Sequence, residues 1–174
     1  MGAPVTARFF FCGGTMTDIR RAVPADAQEL GRLRGASLIE MGYLEAFERA
    51  AFEQRASADI AGLFSAGRLI AWVLCDAERV VGSACATFFE RLPYPDGTLH
   101  AEVAGVFVEP AYRRIGNAAR LIEAVLGEIR GTAVRSTFLR PSPLSRSLYA
   151  RLGFADDDRG TMRLARADSA RVVG

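Results

Sequence analysis

Lysine is absent: all 22 basic residues of this 174-residue chain are arginine, and against 20 acidic residues they leave a net charge of +2 at pH 7. That balance provides no global field for holding nucleic acid or an anionic membrane, so neither is an expected partner. Histidine occurs once, at His100, which argues against a histidine-based metal site, and no metal is expected. Cysteine is scarce too. Cys12, Cys75 and Cys85 are odd in number and lack C-x-x-C spacing, a pattern of free, buried thiols in a reducing cytoplasm rather than of a disulfide or zinc framework. No apolar run approaches the roughly 20 residues of a membrane-spanning helix, since Leu69–Cys75 is bounded by Arg68 and Asp76. Together these absences predict a soluble, cytoplasmic protein, monomer or homodimer.

With 50% hydrophobic and 24% charged residues the chain has ample material for a core, and its length suits one domain. Residues 1–15 read as an N-terminal extension: the apolar cluster Phe9, Phe10, Phe11 is too short for a secretory signal. Met1, Gly2 and Thr6 fit the permissive M-G-x-x-x-[ST] acylation pattern, with Pro4 awkward inside it. The compact domain is expected over 16–167, with a tail over 168–174. Asp18–Val23 suits a first strand, and Pro24 with Asp26 opens a helix whose Leu30, Leu33, Ser37, Leu38 and Met41 share one face until Gly42. Leu44–Phe64 is again helical in pattern, with Phe47, Ala51, Ile60, Leu63 and Phe64 as core candidates and Ser57 as the place for any break. Arg68–Cys75 and Arg79–Phe89 are rich in strand formers and are joined through Asp76–Glu78 as a hairpin. After the Pro93, Pro95, Gly97 loop, a strand from His100 to Val108 leads into the clearest helix. Ile115, Ala118, Ala119, Ile122, Val125, Leu126 and Ile129 recur there at helical spacing, and Gly131 stops it. Ala133–Leu139 reads as a fifth strand, Pro143–Leu152 as a short helix, and two small strands follow Phe154 across an Asp158–Gly160 turn. The order is mixed α and β with a strand–helix–strand crossover in the second half.

The chemistry concentrates between Val106 and Ala118, where an apolar strand runs into a glycine-containing turn at a helix start. Helix N-termini present unpaired N–H groups and the positive end of the dipole, and the small residues Gly116 and Ala118 would let an anionic diphosphate approach the backbone. ATP and NAD are disfavoured, because the turn has neither the G-x-x-x-x-G-K-[ST] order nor a G-x-G-x-x-G fingerprint, and the chain has no lysine to offer. Taken alone, small residues that ease helix packing beside solvated arginines explain the turn equally well.

Val106-Phe107-Val108, Pro110, Arg113-Arg114, Gly116 and Ala118, followed by an amphipathic helix, resemble motif A of the GNAT superfamily of N-acetyltransferases, whose pattern is R/Q-x-x-G-x-G/A. Downstream, Leu148-Tyr149-Ala150-Arg151-Leu152-Gly153-Phe154 is similar to the family's L-Y-x-x-x-G-F segment. Ile19–Ala22 and Pro24–Ala27 resemble its first strand and helix, so that the likeness spans Thr17–Leu164. The resemblance implies an α/β fold with a mixed, mostly antiparallel sheet of six or seven strands flanked by about four helices. It also implies acetyl-CoA as acetyl donor and a primary amine, on a small molecule or a protein, as acceptor. By the same resemblance, the backbone of Val106, Phe107 and Val108 holds the pantetheine arm and provides a donor for the thioester oxygen. The turn Arg113, Arg114, Ile115, Gly116, Asn117 and Ala118 binds the diphosphate. Ser142 stands where the family often has a cofactor-contacting asparagine, Ser145 where alanine is common, and Tyr149 at the position of the general acid.

A phenol suits protonation of a departing thiolate, and a tyrosine that merely anchors a short helix is the plainer alternative for Tyr149. The acceptor amine must also lose a proton. Glu102, on the strand leading into motif A, stands where histone-type members carry their base, and alternation puts it on one face with Ala104, Val106 and Val108 unless a bulge intervenes. His100 shares that parity but reads as a surface residue. The acceptor pocket is expected between Ser37–Phe64 and Leu92–Leu99, where Glu40, Glu45 and Glu48 either attract a cation or form a solvated face. No cysteine lies in a matched motif, so direct transfer in a ternary complex is expected. A non-catalytic acyl-CoA-binding or regulatory domain is the competing reading, and a nucleic-acid-binding role rests only on scattered arginines.

Overall fold

Strand formers dominate the middle of the chain, and they build the sheet. The computed structural model describes residues 17–93, 95 and 97–156. Within them lie five strands: β1 (Thr17–Arg21), β2 (Leu69–Asp76), β3 (Arg79–Glu90), β4 (Leu99–Val108) and β5 (Ser136–Phe138). They are arranged in sequence order. The first three pairings are antiparallel and the last is parallel. A parallel pair needs a crossover, which α3 (Asn117–Ile129) supplies. Three further α-helices, α1 (Ala27–Glu40), α2 (Arg49–Ser65) and α4 (Arg146–Arg151), complete the mixed α/β architecture. Five strands are found among the described residues where six or seven are expected. The two small strands around Asp158–Gly160 and the expectations for residues 1–15 and 168–174 lie outside the described residues.

The inner strands send aliphatic side chains to both faces, giving two cores. On one face Leu74, Val81, Ala84, Val103 and Val108 pack under Leu121, Ile122, Val125 and Ile129 of α3. On the other, Ala71, Val73 and Val80 meet Leu30 and Leu33 of α1, with Ile60 and Phe64 of α2 at the margin. Leu33, Leu74, Leu121 and Ile122 are fully buried, and each such side chain contributes about 1.5–3 kcal/mol. Asp26 ties β1 to α1. Its carboxylate accepts two bonds from Arg20, at 2.7 and 2.8 Å, and one from the Val23 N–H at 2.8 Å.

Several expected core positions are corrected. Phe47 is 82% exposed, because the helix break falls at a 3-10 turn, Ala46–Glu48, where the Glu45 N–H donates to the Glu48 carboxylate at 3.2 Å. From Arg49 onward α2 runs unbroken through Ser57. Met41 follows the last residue of α1 and Ile115 precedes the first of α3, so both are exposed rather than on a buried helical face. Cys75 and Cys85 are free thiols, half-buried, and desolvation pushes the Cys85 thiol up to about 12.

Candidate active site

Gly105 interrupts β4 and decides which way its side chains point. The β3–β4 register runs Thr87↔Glu102, Ala86↔Val103, Cys85↔Ala104 and resumes at Ser83↔Phe107, so β4 carries an extra residue there. This is a β-bulge. Gly105 takes the left-handed φ of +61°, and its carbonyl accepts a bond from the Ser83 hydroxyl at 2.9 Å. Before the bulge Ala101 and Val103 face the α3-side core; after it Val106 and Val108 do. Phe107 packs on the α1 side. Glu102 and Ala104 therefore share a face with Phe107, not with Val106 and Val108 as regular alternation predicts.

β5 leaves β4 early. The parallel ladder joins only His100–Glu102 to Ser136–Phe138. Past Glu102 the backbone of Val103–Val108 keeps its β3 partner on one side and has no β5 partner on the other. That open edge leads through a 3-10 turn, Pro110–Tyr112, to Gly116 and α3. Gly116 has φ +85°, no side chain caps the helix, and a Cβ there would meet nothing within 4 Å. The first-turn amides of α3 thus carry no side-chain cap among the described residues and have the helix dipole behind them. The exposed Arg114 also has positive φ, +64°. Asn117 fastens the turn from below: buried, it donates to the Tyr112 carbonyl at 3.0 Å and accepts from Arg120 at 2.9 Å. Ala118 packs against the α3-side core, and Ile115 is exposed.

The Arg113 side chain turns toward α1. Its guanidinium makes a two-pronged pair with Glu40 at 2.9 and 2.7 Å, donates from Nε to the Val108 carbonyl at 2.6 Å, and lies 5.2 Å from the centre of the Phe107 ring. Of the three acidic residues considered for an acceptor site, Glu40 is thereby paired and Glu48 caps Glu45.

Tyr149, on α4, is half-buried against the α3-side core and meets Phe154 edge-on at 5.9 Å. Burial pushes its phenol up, so the hydroxyl stays protonated at neutral pH. Ser142 and Ser145 share a hydroxyl–hydroxyl bond of 2.9 Å, and the Ser145 hydroxyl also donates to the Ser142 carbonyl at 3.1 Å, which fixes the turn before α4.

On the opposite face, Glu102 accepts a bond from Arg140 at 2.8 Å. His100 is buried at 4% exposure, contrary to the surface position expected of it, because its ring stacks on Phe89 at 5.9 Å. Neither ring nitrogen has a hydrogen-bond partner among the described residues. Phe89 also meets Phe138 edge-on at 5.5 Å, and the Arg91 guanidinium lies 5.5 and 5.2 Å from those two ring centres. Sequence pattern offers no sign that Arg140 and Phe138 are neighbours of Glu102, or that Arg91 sits over Phe89 and Phe138, since strand pairing alone unites them; an isolated glycine in a strand is the one readable sign of the bulge.

Residues 37–154 match the model of the acetyltransferase (GNAT) family. The chain belongs to that family. Solved structures share the GNAT fold. A GCN5-related N-acetyltransferase from Ralstonia eutropha is 18% identical, with a TM-score of 0.73, covering 85% of this chain and 98% of that one. A predicted acetyltransferase from Clostridium acetobutylicum, solved with acetyl-CoA, is 19% identical with a TM-score of 0.76 over 86% and 96% of the two chains. An aminoglycoside N-acetyltransferase in complex with CoA is 22% identical with a TM-score of 0.67 over 91% and 100%. No curated protein sequence matches. In GNAT terms, the open β4 edge and the uncapped start of α3 fit a ligand with an amide-containing arm and a diphosphate.

Proposed function

We propose that this GNAT protein transfers the acetyl group of acetyl-CoA to a primary amine by direct attack in a ternary complex. The observation that carries the reading is the β4 edge, without a strand partner past Glu102 among the described residues, running into a helix start with no side-chain cap and open space at Gly116. Backbone groups of Val106, Phe107 and Val108 pair with the amides of the pantetheine arm, as a further strand would. Amides of the turn from Arg113 to Ala118 receive the diphosphate, with Ser142 and Ser145 flanking the coenzyme near α4. Bound acetyl-CoA supplies an acyl group activated as a thioester. Glu102 takes the proton the attacking amine must lose, through the carboxylate oxygen that Arg140 does not engage. Tyr149 gives its hydroxyl proton to the departing sulfur, and its raised pKa keeps that proton in place until then.

Calorimetric titration with acetyl-CoA, followed by thiol release in the presence of an amine panel, tests the reading. Binding with amine-dependent thiol release is expected. Binding without release from any amine would leave a coenzyme-binding domain and end the enzymatic reading.

A further inference from the structure

Among the described residues, the face of the sheet around Glu102 holds more positive charge than its one carboxylate accounts for. Glu102 is paired across the β4–β5 ladder with Phe138, and its carboxylate holds Arg140 at 2.8 Å. The Arg91 guanidinium lies over the edge-on Phe89 and Phe138 rings, 5.5 and 5.2 Å from their centres, and makes no ion pair among the described residues. Two aromatic planes fix a guanidinium that would otherwise be free to swing, at low further entropic cost to whatever binds it. Beneath Phe89, His100 leaves two buried ring nitrogens unsatisfied, a costly arrangement in a folded chain.

From this juxtaposition we infer that the acceptor is a small zwitterion: an amine that also carries a carboxylate or phosphate. Its oxyanion is taken by Arg91 and Arg140, and its ammonium replaces Arg140 on Glu102. The inference rests on the acetyltransferase reading above. An exchange of ion pairs explains the selectivity. The Arg140 side chain is 81% exposed and that of Glu102 25%, so the arginine is the partner free to leave, and an ion pair this open to water holds weakly. A zwitterion finds a partner for both of its charges and leaves both protein charges paired. An amine without an anionic group competes with Arg140 for Glu102 and returns nothing to the displaced guanidinium. Forked guanidinium contacts to an oxyanion are the stronger kind of charged hydrogen bond. Seating the oxyanion also draws Arg140 off Glu102 and leaves that carboxylate free to accept the amine's proton.

The test compares kcat/KM, read by thiol release, for matched pairs: β-alanine against β-alaninamide, a set of α-amino acids against their carboxamides, and phosphoethanolamine against ethanolamine. At least one acid is expected to exceed its counterpart lacking the anionic group tenfold or more, and which pair shows the gap distinguishes carboxylate from phosphate. Arg91→Gln and Arg140→Gln should each bring that ratio down toward one, mainly through KM, while Arg91→Lys keeps part of it. Amines without the anionic group turned over as well as their acids would overturn the inference, as would a ratio unmoved in both glutamine variants. If acetyl-CoA binds but no amine is acetylated, the acetyltransferase reading fails by itself. Titration of the CoA-loaded protein with the same pairs then decides: heat from the members that carry the oxyanion alone upholds the subsite, and heat from both or from neither overturns it.

Discussion

Removal of the Arg113 side chain separates two jobs that motif A could give it, holding phosphate or holding α1. The guanidinium is committed to α1 and β4: two bonds to Glu40, one to the Val108 carbonyl, and the face of Phe107. Arg113 is 35% and Glu40 52% exposed at the side chain, so solvent screening limits the ion pair to about 0.5–1 kcal/mol. The bond to Val108 adds about 1 kcal/mol, and the ring contact about 0.5 kcal/mol. Arg113→Gln should therefore destabilise the protein by about 2 kcal/mol, a fall in Tm of roughly 4–8 °C for a chain of this size. Glu40→Gln should cost about 0.5–1 kcal/mol, and the double variant should be less unstable than the sum of the two by the energy of the pair. Urea unfolding of the four proteins measures the cycle. Acetyl-CoA affinity should move by less than about threefold in Arg113→Gln, with its salt dependence unchanged, because the proposed contacts of the turn are backbone amides. Additive single effects, or a loss of coenzyme affinity beyond about tenfold without loss of stability, would refute the assignment.

Tyr149→Phe should lower kcat by about 100-fold, the lower end of what general acid catalysis contributes, while acetyl-CoA affinity measured by calorimetry stays put; an unchanged kcat would remove the phenol from the mechanism. The pH profile of wild-type kcat should hold its acid form past the ordinary phenol value of about 10, since burial raises the Tyr149 pKa. Asp26 predicts acid sensitivity of the fold. Its partnership with Arg20 and the Val23 amide holds the carboxyl below the usual range, so the stabilisation is complete above the unfolded pKa of about 3.9 and is lost as pH falls through the folded value. Thermal melts from pH 6 down to 2 should show that loss, and Asp26→Asn, about 2 kcal/mol less stable at pH 7, should flatten it. Gly105→Ala forces a side chain into φ +61° with its Cβ 3.3 Å from the Cys85 sulfur, and should cost about 1–2 kcal/mol together with a drop in kcat; an unaltered Tm would contradict the strain.

Local pattern carried much of this fold in the sequence, and long-range pairing carried the rest. The spacing of Ile122, Val125 and Ile129 shows α3 because its buried stripe is strictly periodic. Motif A was legible for a related reason, since a helix start with small residues needs only neighbouring positions to declare itself. Phe47 misled because an apolar side chain next to a helical pattern looks like its continuation, whereas the Glu45–Glu48 cap stops the chain first. His100 misled in the other direction. A lone polar residue at a strand start reads as solvated, and only the pairing of β3 with β4 brings Phe89 over it. Arg140 and Glu102 are joined by the parallel ladder of β5, and the Glu40–Arg113 pair by the seating of α1 against β4. No window of the sequence contains either pair.

The bulge at Gly105 does more than shift a register. Tyr149 belongs to the α3-side core and Glu102 to the opposite face, and β5 ceases to pair at the level of Glu102, so the gap beside β4 is where the two faces communicate. Were β4 regular, Glu102 would point with Val106 and Val108 into the side already occupied by α3, and the proposed proton donor and acceptor would crowd one face. In the proposed reaction the nucleophile must approach the carbonyl from one side while the sulfur takes its proton on the other. One residue in left-handed conformation, placed between Glu102 and the open edge, supplies that separation. It also explains why a substitution at Gly105 is expected to lower turnover: tilting Glu102 relative to the Val106–Val108 backbone would misalign the proposed base with the proposed site of the acyl group.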